Sequence, residues 1–372
     1  MPYRALLRTP FFLTTAVGRV GVAMTSLGIV WLVHERTGSY VTAGLVTGGF
    51  AVAEAVAGPQ LARLADRYGQ TRVLPPMLLA HAAAVALILT GTETWVMAAG
   101  GILAGAAIPQ LGALSAARWA ALLPAETLPT AFALEALANE LAYLTGPALV
   151  SVIGYPAVGT TVAATLVVTG GLALAAQRRT APPTSTRAAR RNPGRSLLRP
   201  RFAVLVGVNL GLGGFFGAMP ISVTAFAVEH GSATVLFATS SGASLLAGWL
   251  YGLRRWRTAP RVQLALVTCG MTVACLPSLV ADSPLELGIG LALTGLAVPV
   301  VIVTCSISAE AAVDRAVLTQ AFAWLASASA AGSALAAAAA GWAVDAFGPH
   351  GGFAVAAASA ALMAVITCLC LA

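Results

Sequence analysis

Ala62–Arg72, ARLADRYGQTR, sets three arginines and an aspartate between two long runs almost free of charge. The composition around it explains why such a knot stands out. Of 372 residues, 58% are hydrophobic and 9% charged, too few polar groups to cover a globular surface and too much chain for one hydrophobic core. Roughly 20 apolar residues cross a hydrocarbon layer about 30 Å thick, and such runs recur along the whole sequence at intervals too short for soluble domains. The chain reads as a polytopic membrane protein with lipid as its solvent.

The formal net charge is +8, yet all 21 basic residues are arginines in short clusters between apolar runs. That pattern belongs to membrane orientation and argues against a nucleic-acid partner. Cys269, Cys275, Cys305, Cys368 and Cys370 lie inside apolar runs, without metal-ligand spacing or a secreted disulfide framework, and read as small core residues. No metal and no cofactor is expected. Arg4 and Arg8 precede an apolar run as in a signal peptide, but no small-x-small cleavage site follows, so this run is expected to stay as a helix.

Spans are expected at 10–34, 40–63, 73–92, 95–117, 130–154 and 156–177, then at 201–227, 233–253, 260–281, 284–307, 317–344 and 350–371. The tightest turns fall at Gly154-Tyr155-Pro156 and Gly348-Pro349-His350. Between the two sets lies QRRTAPPTSTRAARRNPGRSLLRPR, too polar to span and too poor in apolar residues to fold alone. The expected organisation is a bundle over 1–177, a basic linker over 178–200 and a second bundle over 201–372. Arginine tests this division, because loops on the cytoplasmic side should be enriched in it. Arg4, Arg8, Arg63, Arg67, Arg72, Arg118, the eight arginines from Arg178 to Arg201, Arg254, Arg255, Arg257, Arg261 and Arg315 fall on one side. Only Arg36 falls on the other, and Arg19 lies within a span. Both termini and the linker are therefore expected in the cytoplasm. The lysine-free, arginine- and alanine-rich composition suggests a GC-rich bacterial genome, and with it the bacterial cytoplasmic membrane.

One constant offset superposes Pro10 on Pro200, Phe12 on Phe202, Gly21 on Gly211, and TAFAL from Thr130 on QAFAW from Gln320. The two sets of six spans therefore read as parallel repeats, an arrangement that puts a substrate path between them near the bilayer midplane.

The opening stretch resembles the loop between the second and third helices of the major facilitator superfamily, commonly G-x-L-A-D-R-x-G-R-[KR]-x-x-[LI]. Leu64, Ala65, Asp66, Arg67, Gly69 and Leu74 fit, whereas Ala62 replaces the first glycine and Gln70 and Thr71 replace the basic pair. Gly248–Arg257, GWLYGLRRWR, holds the corresponding place in the second half in degenerate form. Exporters of the superfamily carry G-x-x-x-G-P-x-x-G-G in the fifth span, of which Gly146 and Pro147 remain to bend and pack the helix. Their fourth-span arginine, before a Gln-Gly pair, has no match near Gln110–Gly112.

The resemblance implies an all-α fold of about twelve transmembrane helices in two pseudo-two-fold-related bundles. It also implies a cytoplasmic gate, in which Asp66 meets a helix end of the other half and Arg118. Arg67 and Gly69 share that motif, and the repeat puts Arg254 or Arg255 near Glu310.

Ionisable residues inside a span cost a few kcal/mol and usually face a partner or a wet cavity. Arg19 and Glu54 each lie about 12 Å deep, at 1.5 Å per residue from the cytoplasmic end of their spans. A pair between them is possible, and Glu140 or Glu135 is an alternative partner for Arg19. Such a network can carry protons as substrate comes and goes, or serve as a permanent structural ion pair. Asn139, Asn209 (the repeat position of Arg19), Gln110 and Gln320 add amides that bind substrate or bridge helices. Trp31, Tyr143, Phe215, Phe216 and Trp324 are candidates for an apolar cavity lining. Gly44 with Gly48 and Gly213 with Gly217 read as helix-packing pairs.

His34, His81, His230 and His350 are scattered, and no HExxH, GxSxG or phosphate-binding glycine loop is present, so an enzyme is not expected. The expected activity is secondary transport by alternating access, as proton-coupled efflux of a small amphipathic or hydrophobic compound by a monomer. Uptake of a small metabolite is the alternative, and a receptor or scaffold without transport is the rival of another class.

Overall fold

The computed structural model of the protein describes residues 3–184, 196–230, 233–254, 256 and 258–369. The linker arginines Arg187, Arg190, Arg191 and Arg195, together with Arg255 and Arg257, lie outside them. The helices are α1 (Tyr3–Leu7), α2 (Pro10–Thr37), α3 (Tyr40–Tyr68), α4 (Gln70–Thr90), α5 (Thr94–Ala107), α6 (Leu111–Leu122), α7 (Leu128–Ile153) and α8 (Pro156–Ala176). They continue as α9 (Pro200–His230), α10 (Ala233–Leu253), α11 (Pro260–Cys275), α12 (Pro284–Ala312), α13 (Leu318–Phe347) and α14 (Pro349–Leu369). Among the described residues, eleven segments are long and apolar enough to cross a membrane, and the 21-residue α10 stands at the eighth expected position.

Local chemistry sets many of the boundaries. Proline opens α2, α8, α11 and α12, where its missing N–H would have had no helical partner and its fixed φ suits the first turn. Ser39 Oγ accepts from the Thr42 N–H at 3.2 Å to start α3, and Ser283 Oγ accepts from Glu286 N–H at 3.3 Å to start α12. The tight turns expected after α7 and α13 are single left-handed glycines, Gly154 at φ 69° and Gly348 at φ 73°.

The opening stretch is not a loop. The α3 helix runs through Asp66 and Arg67 to Tyr68, and α4 begins at Gln70, leaving Gly69 alone between them at φ 93° and ψ 138°. Only a residue without a Cβ turns the chain there without strain. A second departure is α1, a short helix ahead of the first span that buries Tyr3 and Leu6. The third is a break in the fourth span between α5 and α6.

By its contacts the chain forms two compact units, one of residues 1–124, 138–193 and 315–327, the other of 125–137, 194–314 and 328–372. In the first unit, α2 packs on α8, α3 on α5, and α4 on both α5 and α8. In the second, α9 packs on α14, α10 on α12, and α11 on both α12 and α14. Each pairing in one unit has its counterpart in the other. In the first unit, Ile29, Leu32, Val33, Val46, Phe50, Val85, Ile88 and Met97 form one apolar cluster across α2, α3, α4 and α5.

Gly213 and Gly217 behave as a packing pair: a Cβ on either would collide with the α13 backbone, at Ser329 and Ser333 respectively. Gly44 and Gly48 do not, since nothing lies within 4 Å of where their Cβ atoms would stand. The small-x-x-x-small spacing is the same in both pairs, but only the first has a helix against it.

Arg36, alone among the arginines on its expected side of the membrane, has a structural task. Its Nη1 donates to Ile88 O at 2.9 Å and Gly91 O at 2.7 Å, and its Nη2 donates to Leu89 O. These are carbonyls of the last turn of α4 and its cap, which the helix itself leaves unsatisfied. Arg36→Ala is expected to lower stability by about 2–3 kcal/mol, read as a lower unfolding midpoint in detergent, and Arg36→Lys should recover only part because an ammonium cannot reach three carbonyls as a planar fork does.

Candidate functional site

The break in the fourth span organises the polar residues of the first unit. Pro109 has no N–H, and the residue before a proline is pushed to extended backbone; Ile108 accordingly has φ −68° and ψ 129°. Helix resumes at Leu111, with Gln110 as its cap residue at φ −77° and ψ 69°. The Gln110 side chain thereby leaves the helix surface and reaches α3, where its Nε2 donates to Glu54 Oε1 at 3.0 Å.

Arg19 lies beside the same break. Arg19, on α2, is 6% exposed, and its guanidinium lies against the first turn of α6, with Nη2 3.6 Å from the position of a Cβ on Gly112. Tyr143, on α7, is within electrostatic reach of both Glu54 and Arg19. Glu54 thus accepts a hydrogen bond from an amide that the broken helix places beside it. Glu140 belongs to the same unit as Arg19, whereas Glu135, buried, belongs to the other. Asn139 is exposed. Gly146 lets α7 approach α2, since a Cβ there would stand 2.8 Å from Ala23 Cβ, and Pro147 sits inside α7 without ending it.

The repeat supplies a control. Its offset superposes Gly105 on Gly295, whose absent Cβ atoms face the carbonyls of Phe50 and Ser240, themselves repeat equivalents. It also superposes Pro109 on Pro299, yet α12 continues unbroken through Pro299. In the second unit Asn209, Ser244, Val300 and Ser333 stand where Arg19, Glu54, Gln110 and Tyr143 stand in the first. The same helix packing is built once with the polar cluster and once without it. Asn209 donates within its own helix, to Leu205 O at 2.9 Å.

Asp66 and Arg118, expected as partners, are held apart in their bonding. Asp66 Oδ2 accepts from Gln320 N–H at 2.9 Å, in the first turn of α13, where unsatisfied N–H groups and the helix dipole favour an anion. Arg118, on α6 and fully buried, donates instead from Nε to Gln70 Oε1 at 2.8 Å, from Nη2 to Leu174 O at 3.0 Å, and from Nη1 to Gln177 O at 3.0 Å and Thr180 Oγ1 at 2.6 Å. It also lies over the Phe11 ring, 5.8 Å from the centroid. Gln70 in turn donates to Leu114 O at 3.1 Å. The departure from the family motif at Gln70 thus has a use: its neutral amide takes up the arginine, which closes the end of α8. Arg67 lies over Tyr68 at 5.1 Å.

In the second unit Arg254, expected near Glu310, lies over the Trp256 ring at 4.8 Å. The contact near the second-half motif comes from Thr130, in the first turn of α7, whose Oγ1 donates to Gly252 O at 2.8 Å in the last turn of α10. Sequence reading singles out neither Thr130 nor Gln70 as a site residue. The register of Thr130 with Gln320 is a signal for the first, and the loss of the family's basic residue is a signal for the second.

A family model of the Major Facilitator Superfamily matches residues 11–285. None of the curated protein sequences compared with the chain matches it. Among solved structures, the human organic anion transporter MFSD10 (TETRAN) is 15% identical, covers 99% of this chain and 100% of its own, and superposes with a TM-score of 0.73. A bacterial homologue of the iron transporter ferroportin, in an outward-facing state, is 12% identical over 97% of this chain and 98% of its own, with a TM-score of 0.78. FucP, in an outward conformation, is 16% identical over 97% and 98%, with a TM-score of 0.76. At such identities the likeness is one of fold. With helices at all twelve positions, the repeated packing and the match of the family model, this multi-pass chain belongs to the Major Facilitator Superfamily of membrane transporters.

Proposed function

We propose that the chain exports a small amphipathic compound by alternating access, driven by protons that enter through Glu54. The observation that carries this reading is the one-sided cluster. Placing Arg19 and Glu54 in a span costs free energy, and the second unit achieves the same helix packing with Asn209 and Ser244 in their places. A charge that the fold does not need is a charge kept for function. A carboxyl beside an arginine, a tyrosine and an amide changes its proton affinity when any of them moves. The discontinuous fourth helix supports the same site, because transporters line their substrate cavities with broken helices. Export is favoured over uptake by the retained Gly146-Pro147 pair and by the sparsely charged spans. An organic anion transporter and a fucose:proton symporter among the similar folds are precedents for organic cargo and for proton coupling.

The test compares the small molecules retained by cells with and without the protein, before and after a protonophore. At least one amphipathic compound should be depleted in cells that make the protein, and the depletion should vanish when the proton gradient collapses. Enrichment in place of depletion would convert the reading to uptake.

Asp66 supports a cytoplasmic latch in the same reading. Its bond to the α13 helix end must form and break as the transporter changes state. Asp66→Asn keeps an oxygen acceptor but removes the charge that the helix end attracts, so transport of the depleted compound should fall about tenfold, with coupling of this kind worth roughly 1–2 kcal/mol. Protein level in the membrane should stay within about twofold, since a single cap charge is a small part of the total stability. Normal transport by that variant would reject the latch.

A further inference from the structure

His81 is fully buried on α4, and no part of the proposed transport step uses it. Its Nδ1 lies 3.0 Å from Ala104 O. A carbonyl oxygen only accepts, so Nδ1 carries the hydrogen, and Nε2 is left buried with no hydrogen-bond partner. The carbonyl it meets is one that the helix break strands. Pro109 cannot donate to Gly105 O; Ile108 N–H turns to that oxygen instead, at 3.4 Å, and Ala104 O loses the donor it would have had in a continuous helix. A carbonyl inside a span has no water to turn to, and His81 supplies the missing donor.

The second unit shows the alternative. Met271 holds the repeat position of His81, equally buried, and has no hydrogen to give. In that unit α12 passes Pro299 without breaking, and Val300, in the place of Gln110, remains inside the helix. The half with the donor has the break, and the half without it does not.

We propose that His81 is the positioning residue of the fourth-span break, holding the end of α5 so that Gln110 is presented to Glu54. The importance of this for transport rests on the function proposed for Glu54, but the positioning is measurable without a substrate. The full-length protein in nanodiscs is compared as wild type, His81→Leu and His81→Asn, with the asparagine amide able to reproduce the Nδ1 donor. Amide hydrogen exchange in a peptide covering 104–114 should rise about fivefold in His81→Leu, as expected for local opening after loss of one hydrogen bond, and stay near wild type in His81→Asn. Exchange elsewhere should be unchanged. In a Pro109→Ala background, where the α5 carbonyls regain their own donors, His81→Leu should have no further effect.

A second readout is the rate at which a membrane-permeant carbodiimide modifies Glu54. His81→Leu and Gln110→Leu should each change it, by about threefold or more, and the double variant should change it no further, as for residues acting through one contact. Unchanged exchange at 104–114 in His81→Leu, a rise spread over all spans, or additive effects on Glu54 modification would each overturn the proposal. Local exchange that rises as expected, while Glu54→Gln transports normally, would sustain the role of His81 and reject the role of Glu54.

Discussion

Arg118→Ala is expected to destabilise the protein by about 3–5 kcal/mol, since it removes four hydrogen bonds made by one charged group in the interior. The guanidinium makes four hydrogen bonds, two of them to Leu174 O and Gln177 O, at the end of α8 and the residue beyond it. Truncation leaves the buried Gln70 Oε1 without a donor, at a cost of about 1–3 kcal/mol, and strips each carbonyl of its charged donor, leaving Leu174 O with the Gln177 N–H at 3.2 Å and Gln177 O with Thr180 Oγ1 at 3.1 Å. It also removes the cation from the Phe11 ring. At roughly 2 °C per kcal/mol for a chain of this size, the unfolding midpoint in detergent should drop by about 6–10 °C. Arg118→Lys should recover only a minority of the loss, because one ammonium cannot face Gln70, Thr180 and two carbonyls together. Gln70→Leu should cost less, since it removes one of the four bonds. A midpoint for Arg118→Ala within about 1 °C of wild type would show that those acceptors find other donors, contrary to the bonding described.

The other large effect is expected on coupling, not on stability. Glu54→Gln keeps the size of the side chain and an oxygen that still accepts from Gln110 Nε2, so the geometry of the cluster survives while its proton is lost. Gradient-driven transport should then fall by about 100-fold or more, the scale on which loss of a proton-transferring group is felt. Arg19→Asn, which installs the residue that the second unit carries at the same register, should weaken substrate binding while leaving the helices packed. The unfolding midpoint of Glu54→Gln should stay near that of wild type, because the amide keeps the size of the side chain and the hydrogen bond from Gln110.

Much of this architecture is legible in the sequence. Proline before an apolar run marks where α2, α8, α11 and α12 begin, and the arginine clusters mark where runs end. The repeat offset, drawn from a handful of matches, holds in the structure. The starts of α2 and α9 are Pro10 and Pro200, those of α4 and α11 are Gln70 and Pro260, those of α5 and α12 are Thr94 and Pro284, and those of α7 and α13 are Leu128 and Leu318. Each pair is related by the same shift.

What escapes the sequence depends on partners distant along the chain. Pro109 and Pro299 are equivalent by register, yet one span is broken and the other continuous, and the side chains packed at the equivalent place, His81 and Met271, differ. Family resemblance assigns Arg118 to Asp66; with α3 and α4 separated by Gly69 alone, Gln70 is drawn into the arginine's reach and the aspartate is left to the α13 helix end. In the sequence Tyr143 is one of five aromatic candidates for a cavity lining, and nothing there sets it apart from the other four. Comparing the two halves residue by residue singles it out, together with Arg19, Glu54 and Gln110, as the places where a repeated scaffold stops repeating.

Glu54 is proposed to carry the coupling proton. Its most direct test uses proteoliposomes containing wild type or Glu54→Gln and the compound identified by depletion from cells. Two rates are measured: uphill movement under an imposed pH gradient, and exchange of labelled for unlabelled compound with no gradient. The expected result is that Glu54→Gln loses uphill movement and keeps exchange, because substrate can still bind and the halves can still alternate. Uphill movement at the wild-type rate would contradict the account, whatever the state of the other residues in the cluster.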